Sequence, residues 1–424
     1  MYQNIIIGAG ASGLISAICL ARKGETVLLL EKNRVVGKKL LATGNGRCNI
    51  TNKNIDSLRF HSSNISFIKE IIKDFNFNKI ESFFNSIGII LIELKDGKVY
   101  PMSLKASSVV DILEYEVKAL GVKICCETLV KEITKENNQF IVTINSIKDL
   151  SETMALASSN SGAKAPLPSL EYKSKKLIIA TGLEASSQLG GSSFGLDIAS
   201  SFNHPIIATL PSLVQLCSKE DYLKYLVGVK QEGSVSLTAN GEFISQIRGD
   251  VLFTKYGVSG LAVLDISREV SLRLNNYEYC LLNIDLMPDI NKNQLVQLLS
   301  SRLDNKSDKP ILLWLEGFIN KKLAKVIIDK SKIESKILKN LNKKDINKIV
   351  YIIKNLSLEI DSTKGFDGAE VSAGGVDTKY INPKNMSSLL VDNLYFTGEI
   401  LDVDGDRGGY NLHFAWLSGI RVSL

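Results

Sequence analysis

The sequence has little of what builds a metal centre or a disulfide framework. Its six cysteines include no C-x-x-C pair, and its three histidines, His61, His204 and His413, include no H-E-x-x-H motif. Successive residues of a strand point to opposite faces, so the adjacent Cys125 and Cys126 cannot both enter one site. These absences disfavour a zinc or disulfide scaffold, and we expect no metal site.

Long uncharged runs are also scarce. Residues 1–21 carry no charge, but the first cation is Arg22 and three glycines interrupt the run. That pattern fits neither a signal peptide nor a membrane-spanning helix. No later run reaches the roughly 18 apolar residues that a spanning helix needs. We therefore expect a cytoplasmic protein without a membrane partner.

What is present is material for large hydrophobic cores. The 424 residues are 45% hydrophobic and 23% charged, with only 8 prolines, which excludes disordered and fibrous classes. The length exceeds one ordinary domain, so we expect two or three domains, or one domain with an insert. The net charge of +6 is small and does not by itself indicate a nucleic-acid partner.

The amino end has the pattern of a strand, a glycine turn and a helix. Apolar residues 4–7 precede Gly8, Gly10 and Gly13, after which small and apolar residues recur at helical spacing. A second β-rich run ends at Glu31. A G-x-G-x-x-G motif in such a βαβ unit predicts nucleotide binding, with pyrophosphate at the helix start and a ribose diol at Glu31. A glycine-rich turn without a ligand is the alternative.

Later runs fit one sheet that an insert interrupts. Residues 176–181 predict a buried strand, and residues 140–144 predict one strand of a β-meander. Residues 150–170 are rich in Ser, Ala and Pro and predict a loop. The expected fold class is α/β, a Rossmann-like FAD/NAD(P)-binding domain interrupted by a β part and an α-helical part. We expect the first domain at 1–203 and 357–424, the inserted β domain at 204–288 and the inserted helical domain at 289–356.

Residues 37–52 bear on the choice between FAD and NAD. This segment, GKKLLATGNGRCNITN, follows Glu31 with cations, glycines and small polar residues, as a long cofactor extending across the domain requires. A nicotinamide dehydrogenase would usually continue with another plain βαβ unit. A polar surface loop is the alternative.

The same segment resembles the signature of bacterial FAD-dependent NAD(P)/FAD oxidoreductases often called the aminoacetone oxidase family, which includes a bile-acid dehydroxylation flavoprotein. The likeness continues through residues 252–260, 369–376 and 394–412, and so covers most of the chain. It implies a glutathione-reductase-like FAD domain with an insert that has a β-barrel-like part and a helical part.

The motif and the resemblance together predict the cofactor contacts. The helix start near Leu412 can present its positive end to the flavin, and the resemblance implies a backbone contact of Val130 with the adenine end. The predicted FAD-binding residues are Gly8, Gly10, Ala11, Ser12, Gly13, Glu31, Lys32, Lys38, Lys39, Thr43, Gly44, Asn45, Gly46, Arg47, Asn49, Val130, Ala180, Thr181, Gly182, Gly398, Glu399, Asp402, Gly409, Asn411 and Leu412.

The sequence departs from the family pattern at two places. Leu183 follows Gly182 where the resemblance implies a second glycine, which leaves the contact of that loop with FAD open. His413 stands where it implies a glutamine. His413 is the one candidate for a catalytic proton donor, and a packing histidine is the alternative. Cys48 is either a redox thiol or a packing residue.

These observations predict an FAD-dependent oxidoreductase that transfers a hydride between flavin N5 and a small-molecule substrate or NAD(P)H. No second G-x-G-x-x-G has a βαβ setting, so NAD(P)H would bind only transiently. Residues 321–354 hold eleven lysines against three acidic residues. They form either a solvated helical face or an RNA-binding patch, and the alternative function is a tRNA-modifying flavoenzyme that uses it. A flavin-binding module without catalysis is a third alternative.

Overall fold

The computed structural model describes residues 1–73, 76–146, 170–303 and 307–424. They form two compact units, one of Met1–Thr209 with Val371–Leu424 and the other of Leu210–Glu370. The predicted loop at 150–170 lies outside the described residues except for its last residue, which begins a strand. The first unit is thus discontinuous in sequence, and the second is inserted into it.

Most strands lie next to another strand in chain order, and four successive helices fall within residues 292–354. In order, the strands are β1 (Tyr2–Ile7), β2 (Val27–Leu30), β3 (Thr51–Asn52), β4 (Phe60–His61), β5 (Leu91–Glu93), β6 (Lys98–Pro101), β7 (Lys123–Cys125), β8 (Thr128–Glu136), β9 (Gln139–Ser146), β10 (Leu170–Ile179), β11 (Ile206–Ser212), β12 (Leu216–Cys217), β13 (Lys230–Ala239), β14 (Glu242–Phe253), β15 (Gly257–Ser259), β16 (Cys280–Asp285), β17 (Leu356–Ile360), β18 (Ser362–Thr363), β19 (Val371–Val376), β20 (Leu394–Phe396) and β21 (Asp404–Gly405). The helices are α1 (Ala11–Arg22), α2 (Lys38–Gly46), α3 (Ile65–Lys73), α4 (Phe77–Ser86), α5 (Ala106–Ala119), α6 (Phe194–Ser201), α7 (Leu223–Leu226), α8 (Leu261–Asn275), α9 (Lys292–Ser301), α10 (Ile311–Leu315), α11 (Lys321–Ser331), α12 (Lys343–Lys354), α13 (Gly365–Gly368) and α14 (Tyr410–Arg421). Short 3₁₀ turns lie at Ser57–Arg59, Lys95–Gly97, Ser187–Leu189, Leu338–Asn340, Thr378–Tyr380 and Gly398–Ile400.

The first unit is built on a sheet with a parallel centre. β1 pairs in parallel with β2 and β10, β2 with β7, and β10 with β20. β9 and β8 extend the sheet in antiparallel fashion from the first half of β10. β2 and the end of β10 are completely buried, as strands covered on both faces must be. The predicted βαβ unit, the strand at 176–181 and the meander are confirmed.

Helices α1 and α14 approach each other closely over this sheet. The Ser16 hydroxyl donates to the carbonyl of Gly419 at 3.3 Å. A Cβ atom at Gly419 would lie 2.6 Å from the Ser12 carbonyl oxygen, closer than packed atoms tolerate. The close contact joins the helix after the first glycine turn to the last helix of the chain.

The second unit has an antiparallel sheet, in the order β17, β16, β13, β14, β15, β12, β18. Buried side chains of the sheet, among them Leu282, form one hydrophobic cluster with Leu295 of α9 and Ile349 of α12. The predicted β and helical parts therefore belong to a single compact unit. This unit extends to Glu370, because β17 pairs with β16 and β18 with β12. The return to the first domain predicted at residue 357 is therefore too early.

In the insert, leucines at positions 295, 298, 299 and 303 have the spacing of one apolar helical face, and the structure buries only some of them. Leu295 and Leu299 of α9 are buried, whereas Leu298 is 40% exposed and Leu303 lies beyond the end of the helix. Consecutive helical residues are about 100° apart, so Leu298 and Leu299 cannot both point to the centre of one buried face. The buried face of α9 is thus narrower than the leucine pattern predicts.

Candidate functional site

The turn between β1 and α1 is held by backbone contacts that only glycine permits. Gly8 has a φ of 100°, and a Cβ there would lie 2.5 Å from the Ala180 carbonyl oxygen. A Cβ at Gly13 would lie 1.9 Å from the Gly8 carbonyl oxygen. The first intrahelical bond runs from the Leu14 amide to the Gly10 carbonyl, which leaves the preceding amides of the helix to other acceptors. The predicted residues Gly8, Gly13 and Ala180 are thus brought together.

Gly10 differs from Gly8 and Gly13, since no described residue demands a glycine at this position. Its φ of −81° and ψ of −166° suit any residue. A Cβ at this position would meet no described atom within 4 Å. The helix start it adjoins carries unpaired amide groups and a partial positive charge, which attract a pyrophosphate. Gly10 thus leaves open space beside the helix start, where a ligand could approach the backbone.

Glu31 lies at the end of β2, where the motif predicts a ribose-binding acid. It is buried, and its Oε2 accepts the amide of Ala9 at 2.8 Å. Its Oε1 accepts the backbone and side-chain amides of Asn33 at 2.8 and 2.7 Å. The Thr128 amide donates to the Glu31 carbonyl, which sets the start of β8, and with it Val130, beside this acid. A carboxylate has about four acceptor positions and three are occupied, so Glu31 can still receive about one bond from a diol.

Two lysines after Glu31 bind residues 188–192, in the loop after Gly182 whose sequence departs from the family pattern. Lys32 Nζ lies 3.2 Å from Ser192 Oγ, and Lys38 Nζ donates to the Gln188 carbonyl at 3.0 Å. Burial of the ammonium group lowers the pKa of Lys32. Lys32 and Lys38 therefore bind this loop, in addition to any phosphate that they hold.

Lys39 connects the two ends of the chain. Its ammonium group lies 2.8 and 3.1 Å from the two carboxylate oxygens of Glu399. The Ser372 amide donates to Glu399 Oε1 at 2.9 Å, and the Ser372 hydroxyl accepts the Ala185 amide at 3.1 Å. Glu399 Oε2 lies 3.6 Å from where a Cβ at Gly182 would be. The predicted residues Lys39, Glu399 and Gly182 thus come together, and they are joined by Ser372, which lies in the family-like segment 369–376 but is not among the predicted cofactor residues.

The signature segment contains a break in α2. Gly44 and Asn45 have left-handed backbone angles, with φ of 58° and 57°, and Thr43 is extended. Thr43 Oγ1 donates to the Leu40 carbonyl, and the Arg47 guanidinium covers the Tyr100 ring at 5.2 Å from its centroid. The segment therefore contains a turn at residues 43–45 and is not a straight helix over the full range of α2, Lys38–Gly46.

Asn49 is a second residue whose surroundings fit a cofactor. Its Oδ1 atom is buried and has no hydrogen-bond partner among the described residues. A Cβ at Gly409, which has a φ of 101°, would lie 3.0 Å from this oxygen. A buried acceptor without a donor is costly, and FAD carries donors in its ribityl hydroxyls and flavin N3–H. Asn49 and the start of α14 therefore fit that cofactor.

Cys48, next to Asn49, is completely buried. Burial raises the pKa of its thiol to about 12. A thiol that stays protonated and inaccessible is a poor nucleophile, so the geometry favours packing over redox chemistry.

The carboxyl-terminal segment is fixed by long-range side-chain bonds. Asp402 is buried, and its Oδ2 accepts the Ser63 amide at 2.8 Å and the Ser63 hydroxyl at 2.6 Å. Asn411 receives the Gly405 amide at Oδ1 and donates from Nδ2 to the Gly405 carbonyl, at 2.8 and 2.7 Å. These two predicted cofactor residues therefore hold the loop itself, which sequence spacing could not reveal.

The start of the segment contacts the first glycine turn. Ser12 Oγ donates to the Thr397 carbonyl at 3.3 Å, and a Cβ at Gly398 would lie 2.5 Å from this hydroxyl. On the neighbouring strand end, Thr181 Oγ1 donates to the Gly182 carbonyl. The predicted residues of the amino-terminal and carboxyl-terminal segments thus meet at one edge of the sheet.

His413, the predicted candidate for catalysis, is completely buried in α14. Its Nδ1 lies 2.8 Å from Thr51 Oγ1. A buried ring held by a neighbouring hydroxyl favours the packing role over proton donation to a substrate.

Two further results concern ligands and membranes. In the described ranges, no three His, Cys, Asp or Glu side chains cluster in a way that could hold a metal ion. Among these same residues, no helix combines the length and the apolar character that crossing a membrane requires.

Comparison with known proteins yields one family and several full-length relatives. Residues 2–423 match the family described as HI0933-like protein Rossmann domain. The 3-dehydro-bile acid delta(4,6)-reductase of Clostridium scindens is 32% identical over 417 residues, which cover 98% of this chain and 96% of the relative. The ribosomal RNA dihydrouridine synthase of Haemophilus influenzae is 31% identical over 428 residues, with 100% and 98% covered. That of Escherichia coli is 30% identical over 420 residues, with 98% and 96% covered.

The match therefore spans both compact units, and the glycine turn, Glu31 and the shaped signature segment give the first of them the form of a Rossmann-like FAD-binding domain. On these grounds the chain belongs to the HI0933-like family of Rossmann proteins.

Proposed function

We propose that this protein is an FAD-dependent reductase that saturates a carbon–carbon double bond conjugated to a carbonyl group in a small organic molecule. The observation that carries the FAD part is Gly10, a glycine that neither the backbone nor the packing requires. The buried acceptor of Asn49 supports the same cofactor from the flavin end. The finer resemblance to the aminoacetone oxidase group stays a prediction.

The residues of the first unit have distinct roles toward that cofactor. When bound, FAD supplies a reversible store of two electrons and a hydride position at N5. The amides at the start of α1 would hold the pyrophosphate, and Glu31 the adenosine ribose. Asn49 would accept a bond from the ribityl chain or the flavin ring, and the positive end of α14 would favour negative charge on the reduced ring.

The names of the relatives support the direction of the reaction. One is a reductase of a 3-oxo steroid with delta(4,6) unsaturation, and two produce dihydrouridine from uridine. In both substrates the double bond that becomes saturated is conjugated to a carbonyl group. Such bonds accept a hydride at the β-carbon and a proton at the α-carbon. NAD(P)H, bound transiently, is the donor we propose for the electrons.

The test is a two-step flavin experiment. The protein is reconstituted with FAD, reduced anaerobically with NADH or NADPH, and mixed with cyclohex-2-enone or a 3-oxo-4-ene bile acid. We expect bleaching of the flavin spectrum in the first step, its return in the second, and a product two hydrogens heavier. Gly10→Val, reconstituted in parallel, is the control that should bind FAD roughly 100-fold more weakly and so retain less flavin. A reduced flavin that no enone reoxidises contradicts the proposal.

An RNA substrate is the second candidate, because two relatives act on ribosomal RNA by name. The positive charge of residues 321–354 supports an RNA substrate less than the number of lysines alone suggests. Five of the eleven lysines between residues 321 and 354 form ion pairs with carboxylates of the same unit, namely Lys321, Lys330, Lys339, Lys348 and Lys354. Reoxidation by a uridine-containing RNA but not by enones, with salt-dependent RNA retention, would favour this candidate.

A further inference from the structure

The segment around His61 is attached to the carboxyl-terminal flavin motif. β4 and β21 pair in antiparallel fashion, with His61 opposite Asp404. The Asp406 amide donates to the Arg59 carbonyl at 2.9 Å, just beyond the strand pair. A short ribbon thus carries His61 alongside the residues that lead into α14.

Asp406 holds the imidazole of His61 from one side. Its Oδ1 lies 2.9 Å from His61 Nε2, and its Oδ2 lies 3.0 Å from Arg59 Nη1. The Arg59 guanidinium lies over the Tyr410 ring, 5.6 Å from its centroid. A carboxylate that is itself anchored fixes the orientation of an imidazole and directs one ring nitrogen toward itself. The other nitrogen, Nδ1, is the one that does not contact Asp406.

His61 is connected to the predicted flavin contacts by a short chain of bonds. Gly405, in the same ribbon, exchanges two hydrogen bonds with the side chain of Asn411. The His61 side chain is 33% exposed, whereas His204 and His413 are 3% and 0% exposed. Of the three histidines, His61 is therefore the one that a substrate or solvent can reach.

The other polar groups of this ribbon are less suited to proton donation. Burial raises the pKa of Tyr410, and its hydroxyl donates to the Asn54 carbonyl. Ser62 and Ser63 are bound to Asp402. An imidazolium gives up its proton near neutral pH far more readily than a phenol or a hydroxyl.

We propose that His61 donates the proton that completes reduction of the double bond, and that Asp406 is its positioning residue. The inference rests on the proposed function. The substrate receives a hydride, with two electrons, at the β-carbon, and a new C–H bond forms at the α-carbon with the proton of His61 Nδ1. The N–H bond breaks, the imidazole becomes neutral, and water returns its proton. NAD(P)H is the proposed reductant, and FAD, when bound, would relay its two electrons.

The first test separates the two half-reactions with His61→Gln, whose amide can still donate to Asp406. We expect flavin content, reduction by NAD(P)H and reoxidation by ferricyanide to match the wild type, because none of these needs the proton. Reoxidation by cyclohex-2-enone should slow by about 100-fold or more. Asp406→Asn should slow the same step by about tenfold, since it leaves the imidazole in place but not oriented. Equal enone rates in wild type and His61→Gln would overturn the role of His61.

The second test does not depend on turnover. Diethyl pyrocarbonate acylates accessible imidazoles, and peptide mass spectrometry locates the label. We expect labelling of His61 but not of the buried His204 and His413, and protection of His61 by a saturated 3-oxo bile acid in the FAD-bound protein. Unchanged labelling at saturating ligand would contradict contact with the substrate.

The outcomes distinguish this inference from the function on which it rests. If the wild-type protein and His61→Gln reduce enones equally well, only the proposed role of His61 is rejected. If the reduced flavin of the wild-type protein reacts with no enone, both the proposed function and the role of His61 are rejected.

Discussion

The two glycine-rich segments at the ends of the chain lead into helices of equal length but are built by different means. α1 and α14 each have twelve residues and a glycine N-cap without a side-chain cap. The turn before α1 is held by close backbone approaches at Gly8 and Gly13. The segment before α14 is held by the side chains of Asp402 and Asn411. The second segment has close approaches as well, since a Cβ at Gly409 would lie 2.4 Å from the Thr51 carbonyl oxygen. Its distinguishing feature is therefore the added bonds of its own side chains, Asp402 and Asn411.

The largest effect should come from filling the first turn. Gly13→Ala places a Cβ 1.9 Å from the Gly8 carbonyl oxygen, a backbone atom that cannot move aside. We expect the apoprotein to lose about 3 kcal/mol of unfolding free energy, or to fail to fold. Urea denaturation measures the change. Gly10→Ala, in the same turn but in open space, is the matched control and should lose no more than about 1 kcal/mol. Equal losses would mean that backbone contact does not shape this turn.

A bulkier change at Gly10 should affect the cofactor rather than the fold. Gly10→Val would occupy the space beside the helix start without meeting any described atom at its Cβ. We expect the dissociation constant of FAD to rise by roughly 100-fold, about 3 kcal/mol, with little change in apoprotein stability. Titration of the apoprotein with FAD, followed by flavin fluorescence, measures it. Unchanged affinity would show that no pyrophosphate lies at Gly10.

The carboxyl-terminal segment should respond to loss of a charge instead. Asp402 is 2% exposed and accepts bonds from Ser62 and Ser63. Asp402→Asn should cost about 2 kcal/mol, because bonds to a charged acceptor are replaced and an amide must be buried. Asp406→Asn is the control, since its carboxylate is 33% exposed and its ion pairs should contribute less than about 1 kcal/mol. Urea denaturation that ranks the two variants in the opposite order would refute this account of the segment.

The ion pair that joins the signature segment, residues 37–52, to the carboxyl-terminal segment should give the smallest change in free energy. Lys39 and Glu399 side chains are 31% and 22% exposed, so solvent screens their attraction. A double-mutant cycle with Lys39→Gln and Glu399→Gln should give a coupling free energy of about 1 kcal/mol. The more exposed Lys118–Glu114 pair within α5 should give about 0.4 kcal/mol. A coupling of the first pair no larger than that of the second would mean that it does not tie the two segments together.

Much of the fold follows from local sequence, but its boundaries do not. The glycine motif, the apolar run at 176–181 and the helical insert were each recognisable from spacing. The end of the insert was not, because only the pairing of β17 with β16 and of β18 with β12 assigns residues 356–363 to the second unit. The sequence of a short strand does not indicate which sheet the strand joins.

The candidate site divides in the same way. Gly10 and Glu31 were predicted in roles that their surroundings suit, since strand, turn and helix lie within one short stretch of chain. Asp402 and Asn411 were predicted as cofactor residues, whereas their observed bonds hold the loop. His61 gave no signal, because its partner Asp406 lies 345 positions away.

The sequence by itself determined the Rossmann-like turn, the discontinuous first domain and a nucleotide-binding edge, because period, glycine placement and the acid after the second strand act over a few neighbouring residues. Tertiary structure alone decided that His413 is buried, that Lys32 and Lys38 hold the loop at 188–192, and that Asp406 faces His61. Burial and long-range hydrogen bonds depend on which distant segments the folded chain brings together, and no local pattern records that choice.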